Sequence, residues 1–311
     1  TYISILVLGM FVTLAYNMCA NVLRAIGDSL TPLIFLILAA VLNVILDYVC
    51  ILAFSMGVGG AAVATVISQV VSVVLCVIHI KKHFPILQVE RRHFKLKKTE
   101  VRTMLSGGLS MGMMSSLVNL GTLILQTGIN TLGTSVIVAH TAARKISEMF
   151  MIMFTVFGQT MATYCGQNMG AGRIDRVKTG IKSALIYTCS WCVHTVIASY
   201  TIGDWLIYLV TGSNNENVIR NAVNYLKFDT IFYFVTAVIS VLRNAMQGLG
   251  ETVIPLVSSA LEMIGKVVIA VTLVPLLGYT GVIVAEPIVW VIMLIPLIVK
   301  ILKMPELKKT V

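Results

Sequence analysis

Asp47 lies near the middle of the apolar segment 32–55, where placing an ionised carboxylate in a lipid bilayer costs about 2.5–3.5 kcal/mol. Asn43 lies one helical turn earlier on the same face, and Thr65 lies at a comparable depth in the next apolar segment. Asn17, on the preceding segment, extends this polar set. Hard oxygen ligands suit Na⁺, whereas an isolated buried carboxylate suits H⁺. We therefore expect a cation-coupling site in these four residues, with Asp47, Asn43 and Thr65 as the ligands if the ion is Na⁺. The structural alternative is a hydrogen-bonded carboxylate that only joins helices.

Charged residues also fall within the apolar segments nearer the carboxyl terminus. Glu262 and Lys266 are four residues apart, a spacing at which opposite charges pair on one face of a helix. Arg144 and Glu148 have the same spacing. The pattern therefore predicts two local pairs that neutralise their own charges inside the membrane.

Two further acids have different surroundings in the sequence. Glu286 precedes Pro287 in the last apolar segment, where a kink could expose backbone carbonyl groups. Asp229 lies nearer the outer end of its segment, where we expect it to be solvated. The residues predicted to line a cavity are Glu148, Glu262, Lys266 and Glu286. No catalytic residue is predicted, because no His-Glu-x-x-His sequence occurs and no Ser/His or paired-Asp arrangement stands out.

The elements that must position these residues are membrane-spanning helices. The chain of 311 residues is 58% hydrophobic and 12% charged, and its mean hydropathy is +0.93, which is too apolar for one soluble core. Nine stretches are long enough to cross a bilayer as helices. They are 2–23, 32–55, 58–80, 104–130, 135–164, 180–210, 218–248, 253–275 and 280–302. The predicted fold class is an all-α polytopic membrane protein.

The basic residues indicate the orientation in the membrane. Most of the 23 lysines and arginines lie in alternate loops, in 81–102, 173–182 and 300–309, together with Arg24 and Arg243. By the positive-inside rule, these loops and the carboxyl terminus are cytoplasmic in a plasma-membrane protein. The segment 81–102 is predicted to be a linker held at anionic membrane lipids, or alternatively a lipid- or partner-binding helix. Because the charge follows the membrane topology, nucleic acid is not predicted as a partner.

A motif occurs twice in the chain. Residues 21–32 and 244–255 share an Asn, a Gly, an acid and a Pro at an offset of 223, and 57–64 matches 278–285 at an offset of 221. Six spans separate the two motifs, so the copies face the same side and form a parallel repeat about an axis along the membrane normal. In each connector, Gly suits a left-handed turn, and Asp28 or Glu251 is expected to cap the next helix.

The repeat also predicts the domain organisation. The second copy has three complete spans before the helix that carries its motif, whereas the first copy has none before its motif-bearing helix. We therefore expect about three helices to be missing before Thr1, so that nine of twelve helices in two six-helix bundles are present. The predicted regions are 1–80, the last three helices of the amino-terminal bundle; 81–102, the basic cytoplasmic linker; and 103–311, the carboxy-terminal bundle.

In several motifs the sequence resembles the multidrug and toxic compound extrusion (MATE) family of secondary transporters. The motifs are Leu23-Arg-Ala-Ile-Gly-Asp-Ser-Leu-Thr-Pro32, Leu42-Asn-Val-Ile-Leu-Asp47, Gly57-Val-Gly-Gly-Ala-Ala-Val-Ala-Thr65 and Gly166-Gln-Asn-Met-Gly-Ala-Gly-Arg173. The resemblance implies the fourth to twelfth helices of an antiporter that exports cationic amphipathic drugs in exchange for Na⁺ or H⁺. It implies no cofactor besides the coupling ion, and we expect a monomer.

The resemblance also bears on the site residues. In some bacterial members the amino-terminal bundle holds a cation site, onto which Asn43, Asp47 and Thr65 map, together with an Asp on the first helix that this chain does not contain. Other members use acids on the seventh and tenth helices. Here the seventh, 104–130, has none, and the tenth has only Asp229.

Two other functions remain open at this point. A lipid-linked oligosaccharide flippase of the same superfamily would need a cationic cavity for a pyrophosphate. The buried basic residues available to it are Arg144, Lys145 and Lys266, and two of them are predicted to be paired already. A non-transporting fragment is the other alternative.

Overall fold

The computed structural model describes residues 2–87, 97–212 and 215–304, and every regular element among them is helical. Residues 88–96 of the predicted linker 81–102 therefore lie outside the described residues, as do the basic residues of the carboxy-terminal tail beyond 304. The helices are α1 (Tyr2–Ala25), α2 (Leu30–Tyr48), α3 (Gly57–His83), α4 (Lys98–Asn130), α5 (Thr134–Gly170), α6 (Ile174–Thr201), α7 (Gly203–Thr211), α8 (Glu216–Ile231), α9 (Tyr233–Gly248), α10 (Val253–Leu277) and α11 (Tyr279–Lys303). A π-helical turn, Val49–Ala53, prolongs α2, and a 3₁₀ turn, Pro85–Leu87, follows α3.

The described helices confirm the all-α polytopic fold class. Seven of them are long and apolar enough to cross a membrane, and α8 with α9 makes an eighth if this pair, bent by 52°, counts as one span. The remaining predicted span, 135–164, falls on α5, which is outside that set. Its first half contains Arg144, Lys145 and Glu148. Two predicted spans contain breaks that hydropathy alone does not reveal, at Ile202 and at Phe232.

The chain divides into two compact units, Thr1–Lys97 and Lys98–Val311. In the first unit, α3 packs against both α1 and α2. The hydroxyl of Tyr16 donates to the Pro32 carbonyl at 2.9 Å, and that of Ser72 donates to the Phe35 carbonyl at 3.1 Å. These bonds from side chains to backbone join neighbouring helices, which is how polar side chains stabilise packing in a bilayer.

The second unit contains α4–α11 around a larger apolar core. Helix α10 packs between α4 and α11, and α5 packs against α6, α8 and α9. The largest fully buried side chains are Tyr225, Tyr233 and Phe154. Since two of these carry a hydroxyl, the interior of this unit must also accommodate polar groups.

The repeated connector adopts the same structure in each unit. Gly27 and Gly250 have φ values of +95° and +85°, which suit glycine at the end of a helix. The Asp28 carboxylate accepts a hydrogen bond from the Thr31 amide at 3.1 Å. The Glu251 carboxylate accepts from the amides two and three positions ahead, at 3.0 and 3.4 Å. The predicted capping role of both acids is therefore confirmed.

Each capping acid also has a basic partner at the matching position of the repeat. Asp28 lies 3.4 Å from His79, and Glu251 lies 2.5 Å from Lys300. Burial raises the pKa of Glu251, but the Lys300 ammonium and the two backbone amides outweigh it and hold that pKa below its ordinary value. Burial likewise raises the pKa of Asp28, and its bonds to Thr31 and the nearby His79 lower it overall.

Glu251→Gln is expected to lower the stability by about 1 kcal/mol at pH 7, since it weakens a helix cap. The folded-state pKa lies below the ordinary 4.5, so this contribution is complete above pH 4.5 and is lost as the pH falls through the folded-state value. Melting temperatures of the two proteins in detergent should therefore differ at pH 7 and converge under acid conditions. An equal difference at both pH values contradicts this role.

Candidate functional site

The structure brings together two of the four residues of the predicted cation site. The Asn43 amide on α2 donates to the Thr65 hydroxyl on α3 at 3.4 Å. The Thr65 hydroxyl in turn donates to the Ala61 carbonyl at 2.9 Å, so the lone pairs of its oxygen face away from its own helix backbone. This bond fixes an amide and a hydroxyl at one level of the first unit.

Asp47 follows one turn after Asn43 on α2. One of its carboxylate oxygens is buried and has no hydrogen-bond partner among the described residues. A buried carboxylate oxygen without a donor is costly, and a bound cation or proton relieves that cost. A carboxylate, an amide and a hydroxyl form an oxygen donor set that suits Na⁺.

Asn17, the fourth predicted member, is exposed on α1, and no hydrogen bond joins it to the other three in the described part of the chain. Two side chains that the sequence reasoning missed occupy the α1–α3 contact instead. The Thr13 hydroxyl donates to the side-chain carbonyl of Gln69 at 2.5 Å. Gln69 lies one turn after Thr65, so its helical spacing was the available signal.

The second unit contains a buried network of charges that differs from the predicted local pairs. Arg144 on α5 donates to both carboxylate oxygens of Glu286 on α11, at 2.9 and 2.7 Å. Its predicted partner Glu148 lies 3.8 Å away, with a side chain that is 62% exposed. The expected pair Arg144–Glu148 is thus only a weak contact. Arg144 pairs with Glu286 instead, because the side chain of Glu286 is only 5% exposed and gains far more from a counter-ion than an exposed acid does.

The predicted pair Glu262–Lys266 is confirmed at 3.0 Å, and it belongs to a larger group. The Lys266 ammonium also donates to the Thr122 hydroxyl at 3.1 Å and lies 3.9 Å from Glu286. Arg243 lies 3.7 Å from the other oxygen of Glu262 and is mostly buried. The charge pattern had suggested that Arg243 belongs with the loop residues of the basic face, and the structure shows that it does not.

Asp229 is completely buried, which contradicts the expectation that it would be solvated. The Ser147 hydroxyl donates to one of its oxygens at 3.3 Å, and the other oxygen has no partner among the described residues. Asp229 lies on the buried face of α8, one turn after Tyr225, and α8 is bent by 52° relative to α9 at Phe232. Its position near the end of the helix did not indicate which face of α8 is buried.

The sequence reasoning also missed the tyrosines and the histidine of this region. The Tyr225 hydroxyl donates to Glu286 at 3.2 Å. The His140 ring packs edge-on against Tyr225 and Tyr279, with ring centroids 5.1 and 6.1 Å apart. Tyr225 and Asp229 are four residues apart, and this spacing was the one available signal.

Among the predicted cavity-lining residues, Glu262, Lys266 and Glu286 come together, whereas Glu148 is exposed. They do not form an open acidic surface, because Glu262 and Glu286 each contact a base. In the described residues no group of three or more His, Cys, Asp or Glu side chains is arranged to hold a metal ion. The electrostatics of the two units therefore differ: Glu262 and Glu286 in the second are paired with bases, whereas no ion pair joins Asp47 to a base among the described residues. Asp229 resembles Asp47 in having a buried carboxylate oxygen without a partner in the described part of the chain.

Two family models match the chain. One, described as MatE, matches residues 111–272, and one described as lipid II flippase MurJ matches residues 1–132. The probable multidrug resistance protein YpnP of Bacillus subtilis is 28% identical over 251 residues, which are 80% of this chain and 55% of that protein. The multidrug export protein MepA of Staphylococcus aureus is 23% identical over 288 residues, which are 91% of this chain and 62% of that protein. The chain thus spans less than two thirds of these curated relatives.

Solved structures share the fold. A crystal structure of MATE in the bent conformation has a TM-score of 0.91 at 20% identity, and the match covers 99% of this chain and 69% of that one. An outward-facing multidrug resistance MATE family transporter of the MOP superfamily has a TM-score of 0.89 at 22% identity, covering 99% of this chain and 70% of that one. The helical architecture of both units is therefore that of known transporters.

Proposed function

Because the chain belongs to the MATE family of membrane transporters, we propose that it serves in a secondary active antiporter that exports cationic amphipathic drugs in exchange for Na⁺ or H⁺. The observation that carries this proposal is the polar group of the first unit. Asn43 and Thr65 are hydrogen bonded at 3.4 Å, and Asp47, one turn away, has a buried oxygen without a partner among the described residues. In this proposal the carboxylate binds its cation in one access state, and the drug binds in the other.

In this mechanism the coupling ion binds at Asp47, and the amide and hydroxyl oxygens complete its coordination. Ion binding favours one access state and drug binding favours the other, since a ligand shifts an equilibrium only through its different affinities for the two states. Alternating access then exchanges one cation for the other across the membrane. The charge of Asp47 is neutralised in both half-cycles, which lowers the cost of keeping it at membrane depth.

The domain organisation and topology belong to the same proposal. Residues 1–80 are the last three helices of the amino-terminal bundle, 81–102 is a cytoplasmic linker and 103–311 is the carboxy-terminal bundle. The basic loops and the carboxyl terminus face the cytoplasm of a plasma-membrane protein that works as a monomer. The division of the chain at Lys97 supports the placement of the bundle boundary.

Transport of a fluorescent cationic dye from proteoliposomes tests the function. An imposed inward Na⁺ or H⁺ gradient should accelerate dye export, and the gradient that does so identifies the coupling ion. Dissipating that gradient with a matching ionophore should return the rate to that of protein-free vesicles. Export that is independent of both gradients contradicts antiport.

A lipid-linked oligosaccharide flippase is the second candidate, because the MurJ family model matches residues 1–132. A flippase of this kind needs unpaired buried cations for a pyrophosphate. Arg144 and Lys266 are instead held by Glu286 and Glu262, which favours the antiporter. Translocation of a fluorescent lipid pyrophosphate in vesicles, without any ion-driven dye export, would establish the flippase.

A further inference from the structure

The repeat aligns the polar pair of the first unit with a charged pair of the second. The connectors 21–32 and 244–255 are related by an offset of 223, which takes Asn43 to Lys266. The segments 57–64 and 278–285 are related by an offset of 221, which takes Thr65 to Glu286. The aligned side chains are in contact in both units, at 3.4 Å for the first pair and 3.9 Å for the second.

The Lys266 ammonium is surrounded by oxygen atoms from three helices. The Thr122 hydroxyl on α4 lies 3.1 Å away, the Glu262 carboxylate on α10 lies 3.0 Å away, and Glu286 on α11 contributes the contact at 3.9 Å. The side chain is only 4% exposed. The ammonium is therefore hydrogen bonded to one carboxylate and one hydroxyl, and a second carboxylate lies nearby.

The packing of α4 against α10 leaves room for the lysine stem. A Cβ atom on Gly121 would lie 3.3 Å from Cδ of Lys266 and 3.0 Å from the backbone of Met263. Only glycine leaves both contacts unstrained, so the two helices are close together where the stem passes. The ammonium is consequently held in place by its own chain as well as by its oxygen partners.

The charge balance of this region depends on Lys266. The Lys266 ammonium lies between two buried acids, Glu262 and Glu286, each of which also contacts an arginine. Removing the lysine charge would take one counter-ion away from both acids. A small mobile cation is the simplest replacement in a space of that size.

We propose that Lys266 is a tethered cation occupying the second unit's counterpart of the ion position at Asn43 and Thr65. The second unit therefore takes up no coupling ion, and the first unit alone sets the number of ions exchanged per cycle. This inference rests on the proposed function for the meaning of the first-unit site. The position of the ammonium itself rests on the contacts of Lys266.

The test uses Lys266→Asn in the purified protein carrying Asp47→Asn, a background in which the first-unit site is removed. The measurement is made at pH 8, with the sodium concentration at a hundred times the dissociation constant of sodium for the double variant. Replacing choline chloride with sodium chloride should then raise the Tm of the double variant by roughly 5 °C. The single variant Asp47→Asn should show no such rise. Lys300→Asn in the same background is the matched control, because it removes a paired lysine from a connector, and it should not respond to sodium.

A double variant that folds but shows no sodium response overturns the proposal. Loss of all ion-driven export in Lys266→Asn alone also overturns it, because Lys266 would then carry the coupled proton itself. The reciprocal variant Asn43→Lys covers the case in which Lys266→Asn does not fold. It tethers an ammonium beside Thr65 and should abolish ion-driven export, and export that persists contradicts the inference. Failure of the proposed function has a different signature, since Asp47→Asn alone would then leave export unchanged.

Discussion

Asp47→Asn is expected to lower ion-driven export by roughly a hundredfold, which corresponds to about 2.7 kcal/mol of lost ion binding. The substitution keeps the size of the side chain and removes the charge that attracts the cation. The carboxylate oxygen that has no partner among the described residues becomes a neutral amide group, so its burial no longer requires a counter-ion. Initial rates of dye export from proteoliposomes under the driving gradient measure the effect.

Asp28→Asn is the matched control, since it changes an acid of the same type in a connector. Its export rate should remain close to that of the unmodified protein, with only a small loss of stability. Equal amounts of folded protein in the vesicles must be established by size-exclusion chromatography before reconstitution. Unchanged export by Asp47→Asn excludes a coupling role for this residue.

The second large effect is on stability. Arg144→Met should destabilise the protein by about 3–5 kcal/mol, because it leaves the Glu286 carboxylate buried without its main counter-ion. The loss is electrostatic, so the double variant Arg144→Met, Glu286→Gln should recover a large part of it. Unfolding by denaturant in detergent measures both differences.

Glu148→Gln provides the control for that comparison. Its side chain is 62% exposed and lies 3.8 Å from Arg144, so its loss should cost less than about 0.5 kcal/mol. If Glu148→Gln were as destabilising as Arg144→Met, the local pair rather than the contact with Glu286 would hold the arginine. If the double variant were no more stable than Arg144→Met, the loss would reflect packing instead of charge.

Features that depend on neighbouring residues could be predicted from the sequence. The connectors were predictable because a glycine with positive φ, a capping acid and a proline act within a few residues of one another. The helices followed from hydropathy, since a bilayer leaves few alternatives to a helix. The pair Glu262–Lys266 followed from its spacing of four residues.

Features that depend on helix packing could not be predicted in this way. Arg144 and Glu286 are 142 residues apart, so no local spacing indicates that they meet. The burial of Asp229 depends on which face of α8 packs against the other helices, and its position near the helix end does not indicate this. The repeat did contain part of this information, because the offset of 221 takes Thr65 to Glu286 and places a polar group at that position in both copies.

The π-helical turn Val49–Ala53 bears on the unequal lengths of the two copies of the repeat. Between its proline and the next repeated glycine, the first copy has two residues more than the second, and this turn and the residues 54–56 lie in that interval. A widened turn absorbs extra residues while the backbone hydrogen bonds are kept, so a length change inside a membrane helix need not disturb either connector. Asp47 lies two residues before this turn. The region beside Asp47 therefore differs between the two copies while both connectors keep the same structure.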